Sequence, residues 1–146
     1  MAITAFIYSN CPLNALEKVM NLETDTIKCM LCTSSYTPDQ DNHDFKDDVT
    51  NEVSGSGYTA GGAEVANPSV TVSGRVTTFD GDDVSWSNST ITARYAVLYD
   101  DTPSGDSSKP LIMCINFGED KSSENGTFQI TFNASGIFTI TVPTEG

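Results

Sequence analysis

Four cysteines and one histidine are the residues of this chain that could hold a metal ion or carry out redox chemistry. Cys29 and Cys32 have the two-residue spacing of zinc and thiol redox sites, which need a turn to bring both sulfurs together. Here the pair lies in an apolar run typical of a β-strand, where residues three apart point to opposite faces. His43 alone cannot complete a metal site. We therefore expect no metal, and free, buried or half-buried thiols at Cys11, Cys29, Cys32 and Cys114.

Carboxylates are the second group that could do chemistry. The chain has 20 Asp and Glu residues but only 7 Lys and Arg residues. Three aspartates surround a glycine at residues 80–83, and their oxygens could bind calcium. The pattern lacks the twelve-residue loop and terminal Glu of the common calcium site, so a plain Asp-Gly turn between strands is the simpler interpretation. A second acidic group is typical of the solvated face of a loop, and consists of Asp39, Asp41, Asp44, Asp47 and Asp48.

The other reactive residues do not form a recognisable catalytic set. Paired carboxylates can hydrolyse glycosides, but nothing in the sequence selects such a pair. His43 has no evident nucleophile beside it, and Ser34 and Ser35 lie in no Gly-x-Ser-x-Gly motif. Residues 55–57 lead to no phosphate-binding loop. The sequence therefore predicts neither an enzyme nor a cofactor.

Aromatic residues could stack on sugar rings, because flat rings on a β-scaffold make low-entropy binding platforms. Tyr95 and Tyr99 share their predicted strand face with Ile91, Ala93 and Val97, which indicates a place in the core. Trp86 and Tyr58 remain open as carbohydrate-binding candidates.

Charge and hydropathy exclude two classes of partner. The formal net charge of −13 repels phosphate backbones, so we expect no nucleic-acid binding. No apolar run approaches the ~20 residues of a membrane helix, so we expect no membrane partner. The first eight residues are apolar but lack a basic start and are followed by polar residues and a proline, which argues against a signal peptide and predicts synthesis in the cytosol.

The elements that must position these residues are mostly short strands. From residue 69 the apolar period is two, as at Val70, Val72 and Val76. Residues 111–117 are apolar on both faces, as in a central strand covered from both sides. Residues 127–132 and 137–142 flank a four-residue loop and predict a hairpin. The 146-residue chain is therefore predicted to be mainly β, a single antiparallel β-sandwich or barrel-like domain over 1–146, with its main sheet at 69–142.

Two segments stand outside this body. Residues 1–22 hold an apolar stretch and one short helix that starts at Pro12, with Leu13, Leu16 and Met20 on one side. Residues 34–62 form a long, polar, acidic loop, which we call the excursion; loops longer than about 12–15 residues usually bind something or are disordered. One helical turn is expected at 45–49, and Tyr36, Phe45 and Val49 are expected to anchor the loop.

Four blocks of the chain, at residues 23–45, 51–62, 86–99 and 133–140, resemble a family of small virion proteins encoded by tailed bacteriophages. The likeness covers nearly the whole chain, although Cys29 and Cys32 stand where aliphatic residues are expected. The resemblance implies a virion structural protein, and the position it favours is a capsid decoration or cement subunit. Tail components of phages are also small and β-rich.

These observations lead to a capsid cement protein on the outer shell as the first hypothesis. It would form a homotrimer and contact the major capsid protein through apolar groups and an added strand. The residues expected to contact the partner come from the amino-terminal stretch and the excursion: Ile3, Phe6, Ile7, Tyr8, Tyr36, Phe45 and Val49. The amino-terminal stretch could equally be the first strand of its own sheet. The alternative function is a tail or fibre module that binds host carbohydrate.

Overall fold

The computed structural model describes residues 2–145, which form two antiparallel sheets and one short α-helix. This confirms a mainly β protein, and the two sheets fit a sandwich. The elements in chain order are β1 Thr4–Ile7, α1 Cys11–Leu16, β2 Ile27–Cys32, β3 Ala63–Glu64, β4 Ser69–Ser73, β5 Val76–Asp80, β6 Val84–Asp100, β7 Leu111–Ile130 and β8 Phe138–Thr141. Two 3-10 turns lie at Lys46–Asp48 and Asp106–Ser108, and the first is the turn expected at 45–49.

The larger sheet has the strand order β1-β7-β6-β2-β3. Its centre is the long antiparallel pair of β6 and β7, which runs from Val84 opposite Ile130 to Tyr99 opposite Leu111. β7 is a central strand, as its apolar faces predict. The amino-terminal stretch is the first strand of this sheet, because Thr4 to Ile7 pair with residues 116 to 113 of β7. The sheet therefore includes β1 and β2, which lie outside residues 69–142.

The larger sheet is buried on both faces. One face packs on the main core, to which β2 contributes Cys29 and Leu31 and the second sheet contributes Phe79. The other face carries a second apolar cluster, which includes Tyr8, Tyr36 and Tyr99. The molecule thus has three layers: the small sheet β4-β5-β8 with α1, the larger sheet, and the excursion.

The predicted common face of β6 is wrong. Ile91 and Ala93 belong to the main core, whereas Tyr95, Val97 and Tyr99 pack in the second cluster on the opposite face. The register between β6 and β7 shifts between Ala93 and Tyr95. An extra residue at such a bulge reverses the alternation of side chains beyond it.

The predicted hairpin at 127–142 is also wrong. β7 ends at Ile130, and β8 pairs with β5 in the small sheet, with Thr77 opposite Ile140. The loop does turn as expected, because the N–H of Gly136 donates to the carbonyl of Asn133. It carries the chain from one sheet to the other, and β8 is an edge strand there, as the following Pro143 predicts.

The helix begins after Asn10, near the predicted start, but its buried face differs. Leu13 and Leu16 are 51% and 85% exposed, and Cys11 and Asn14 face the body instead. α1 ends at Leu16, and Lys18 takes a positive φ of 64°. Met20 is buried because this turn folds the chain back, so helical spacing does not relate it to Leu13 and Leu16.

Candidate functional site: the folded excursion

The excursion is folded against the outer face of the larger sheet. Tyr36 is buried, as is Val53, and Val49 packs against the second cluster. Isolated backbone bridges join Cys32 to Glu52, Phe45 to Pro110 and Ser56 to Thr90. The expected anchors Tyr36 and Val49 therefore pack against the body, and Val53 is an additional one that the sequence analysis did not single out.

Three side chains in a row tie the excursion to β1. The hydroxyls of Tyr8 and Tyr36 lie 2.9 Å apart, and the Tyr36 hydroxyl lies 2.9 Å from Nδ1 of His43. The backbone N–H of Asp39 donates to the same Nδ1, which is therefore an acceptor. It follows that Tyr36 donates to His43 and that Tyr8 donates to Tyr36. The His43 ring also stacks on Tyr36, with 5.7 Å between ring centroids.

Backbone contacts extend the same junction. The N–H of Ser9 donates to the carbonyl of Gln40, and the side-chain amide of Gln40 donates to the carbonyl of Ile7. The Ser9 hydroxyl donates to Asp41 across 2.6 Å. The end of β1 and residues 40–41 are therefore fixed to each other by polar contacts in both directions.

The second half of the excursion is held by a network around Glu52. Oε2 of Glu52 accepts from the Tyr58 hydroxyl and from the N–H of Gly61, each across 2.6 Å. The Tyr58 hydroxyl also accepts from the N–H of Leu31, and the Tyr99 hydroxyl donates to the carbonyl of Gly61. Burial and the hydrogen bond to Glu52 raise the pKa of Tyr58.

Gly62 shows how closely the excursion approaches the sheet. A Cβ atom there would overlap the carbonyl oxygen of Cys29, and the residue has a φ of +84°. Gly57 has the same two constraints, because its φ is +82° and a Cβ would lie 2.7 Å from the Cα of Ser89. Only glycine fits these approaches, so the glycines at this end have a packing role.

The outward side of the excursion is acidic. Lys46 is its single lysine or arginine, and it pairs with Asp106 across 3.0 Å. Hydrogen bonds from the side chain and backbone of Asn42 lower the pKa of Asp39. Burial and the neighbouring Asp48 raise the pKa of Asp44, whereas backbone N–H groups of residues 44 and 45 outweigh burial and lower the pKa of Asp48. Asp47 is exposed.

The structure gathers four of the seven predicted contact residues in the second cluster. Tyr8 and Tyr36 lie inside it, and the half-buried Phe6 and Val49 pack against it. Phe45 is half-buried and forms a backbone bridge with Pro110. Ile7 packs on the main core from the opposite face of β1, and Ile3 is exposed at the start of the strand. Contact of these seven residues with a partner stays a prediction.

The two aromatic residues left open by the sequence are part of the packing. Trp86 is 5% exposed and lies between Tyr58 and Phe128, with centroid distances of 5.8 and 6.1 Å. The Tyr58 hydroxyl is fully engaged. Neither residue offers a free platform for a sugar ring. Tyr99 is buried and Tyr95 packs beside it in the second cluster, as expected for core residues.

The cysteines are free and buried, as predicted. Cys29 faces the main core and Cys32 the second cluster, so the two sulfurs diverge. Burial raises the pKa of Cys11, Cys29 and Cys114 to about 12. In residues 2–145 no group of three or more His, Cys, Asp or Glu side chains is placed to hold a metal ion. At the turn 80–83, Asp83 accepts from the N–H of Phe132 and Asp82 from the side chain of Asn67.

A feature that the sequence analysis did not single out lies on the other side of the molecule. An apolar groove of about 690 Å³ runs between α1 with residues 18–23 and one face of the small sheet. Its sheet wall includes Val70, Phe79, Phe138 and Ile140. The signal was present in the alternation of residues 138–142, but the predicted hairpin assigned that strand to the wrong sheet.

Comparisons with family models, with curated proteins and with solved structures find no match. No helix among the described residues has the length and apolar character needed to cross a bilayer. The fold and the two surfaces define a mainly β protein in which an acidic layer and an apolar groove lie on opposite sides of the larger sheet.

Proposed function

We propose that this chain is a structural protein of a tailed-phage virion, most simply a capsid decoration or cement subunit on the outer shell. It acts by adhesion and catalyses no reaction. Its partners are the major capsid protein and further copies of itself, arranged as a homotrimer. It is synthesised in the host cytoplasm and works on the particle.

The observation that carries the proposal is that the excursion is fixed against the larger sheet and turns an acidic surface outward. Two of the blocks that carry the phage resemblance, residues 23–45 and 51–62, form β2 and most of the layer that covers it. This layer is held by buried tyrosines and tight glycine contacts, and its outward side carries carboxylates. A fixed acidic surface of this kind suits a basic patch on a neighbouring subunit.

The test is to add the purified protein to shells that lack it. We expect binding to the shells and a higher temperature of shell rupture. Asp47→Lys should weaken binding, because Asp47 is an exposed carboxylate of the excursion that makes no hydrogen bond within residues 2–145. Asp120→Lys is the matched control, since Asp120 is also exposed and its side chain makes no hydrogen bond within residues 2–145, but it lies in β7.

A protein that neither binds shells nor occurs in purified particles contradicts the proposal. Equal loss of binding in both variants would mean that general charge, rather than the excursion, governs adhesion. The alternative of a tail module that binds host carbohydrate would need a site other than Trp86 and Tyr58, because both pack within the body. It predicts binding of the isolated subunit to host carbohydrate, with no binding to emptied shells.

A further inference from the structure

The small sheet sorts its side chains into two unlike faces. Strand register places one apolar set on the side of the groove, which we call the apolar face: Val70, Val72, Phe79, Phe138, Ile140 and Val142. Apart from Val76, the opposite face carries mainly hydroxyl side chains, including Thr71, Ser73, Thr78, Thr139 and Thr141. This alternation is typical of an antiparallel sheet that has one face packed against protein and the other exposed to solvent.

The apolar face is covered at one end only. Phe79 is 1% exposed and packs in the main core, whereas Val70 is 37% and Ile140 49% exposed. Val142 and Val72, at the far end, reach 56% and 71%. Large apolar side chains that share one face and become more exposed along it form a patch rather than scattered residues, and such patches mark interaction sites.

The distribution of charge over the chain favours a second copy of the protein as the partner that covers this face. The chain carries a net charge of −13, yet residues 125–144 contain no charged side chain and residues 65–79 contain only Arg75. The opposite wall of the groove adds Lys18 and Glu23, whose charges are of opposite sign. Two copies that meet on this sheet face therefore bring few carboxylates together, whereas contact through the acidic excursion brings like charges together. A basic partner would instead be drawn to the acidic surface on the excursion.

The free edge of the small sheet also favours contact with a second copy of the chain. β8 has β5 as its partner on one side and is an edge of the sheet on the other. An edge strand can pair with another strand through its free N–H and carbonyl groups. We propose that the apolar face, with the free edge of β8, is the surface on which a second copy of this chain docks. The inference rests on the proposed function in that it names the surface for the self-association proposed there.

The experiment measures the mass of the purified full chain by light scattering over a concentration series. The chain should form oligomers, and Val72→Lys and Ile140→Lys should each reduce it to monomer. Thr71→Lys and Thr139→Lys are matched controls, because they add the same charge to the same strands on the hydroxyl face; both should behave as the wild type. Added salt should strengthen association, since it screens repulsion between the acidic bodies.

Circular dichroism checks that each variant is folded, and Val142→Lys, beyond the end of β8, replaces either variant that is not. A wild type that stays monomeric up to its solubility limit overturns the inference, as does an oligomer that every variant retains. A monomer that still binds shells refutes this inference and the homotrimer, and leaves only the proposed adhesion to the shell standing. An oligomer that ignores shells does the reverse.

Discussion

The buried hydroxyl of Tyr8 has its hydrogen-bond acceptor in Tyr36, 28 positions along the chain and 2.9 Å away. Tyr36 passes the chain of hydrogen bonds on to His43. Because Tyr8 directly follows β1 and the excursion supplies the other two groups, this chain of hydrogen bonds joins the amino-terminal strand and the acidic layer into one unit.

This chain of hydrogen bonds predicts unequal effects of two similar substitutions. Tyr36→Phe leaves the fully buried Tyr8 hydroxyl without its acceptor, which should cost about 1–3 kcal/mol of unfolding free energy. Tyr8→Phe leaves Tyr36 still bonded to His43 and should cost about 1 kcal/mol or less. Urea unfolding measures both. A larger loss in Tyr8→Phe than in Tyr36→Phe would contradict the assigned direction of the bonds.

The glycine contacts predict a second pair of results. Gly62→Ala places a Cβ against the carbonyl of Cys29 at a positive φ and should cost more than about 3 kcal/mol, or prevent folding. Gly74→Ala is the control, because its φ is +61° but nothing lies within 4 Å. It should cost only the backbone strain, about 1–2 kcal/mol. Equal midpoints of thermal unfolding would show that the close approach is absent.

A buried carboxyl group predicts how stability depends on pH. Asp100 is fully buried, and burial together with the carboxyl of Asp25 raises its pKa to about 7. One oxygen accepts from the N–H of Thr102, and the other, Oδ2, is buried without a hydrogen-bond partner among residues 2–145. Below about pH 4 the group is protonated in both the folded and unfolded states, and its stabilising contribution is complete.

Between about pH 4 and pH 7 the unfolded state loses this proton and the folded state keeps it, so the contribution of Asp100 falls with rising pH, by at most about 1.4 kcal/mol per unit. Asp100→Asn mimics the protonated group, so it should remove this dependence of the unfolding free energy on pH. The variant should therefore become more stable relative to the wild type as pH rises. Denaturant unfolding at several pH values measures this. Asp47→Asn is the exposed control, and an unchanged slope in Asp100→Asn would refute the assignment.

The cysteines predict slow chemistry in the native state. All four are at most 3% exposed, and burial raises their pKa values. Since the thiolate is the reactive form, a disulfide reagent should label none of them quickly in the folded protein and all four after unfolding. Rapid labelling of any one would show that its surroundings open on the time scale of the assay.

Local pattern was enough to predict the strands but not all of their partners. The alternation at Val70 and Val72 and the doubly apolar run of β7 reflect the surfaces that these strands bury, so the sequence carries that information directly. Which strand pairs with β8 depends on which sheet lies close to the chain after Gly136, and this is decided only when the two sheets have packed together. The residues of β6 before and after Arg94 are predicted on one face because the bulge there depends on how β6 pairs with β7, which the sequence of β6 alone does not show.

The excursion shows the same limit at the candidate site. Its turn residues and anchors were visible in the sequence, and Tyr36 and Val49 pack as expected. The acceptor for Tyr8, the network at Glu52 and the fit of Gly62 all join residues that meet only after the larger sheet has formed. The groove was missed because it needs β8 beside β5.

The attachment of the excursion to β1 also bears on how a partner would be bound. A loop that is already fixed at both halves has little conformational freedom left to lose, so recognition at its acidic surface would carry a small ordering penalty. Complex formation would then proceed as docking of preformed shapes, with an association rate that falls as ionic strength rises.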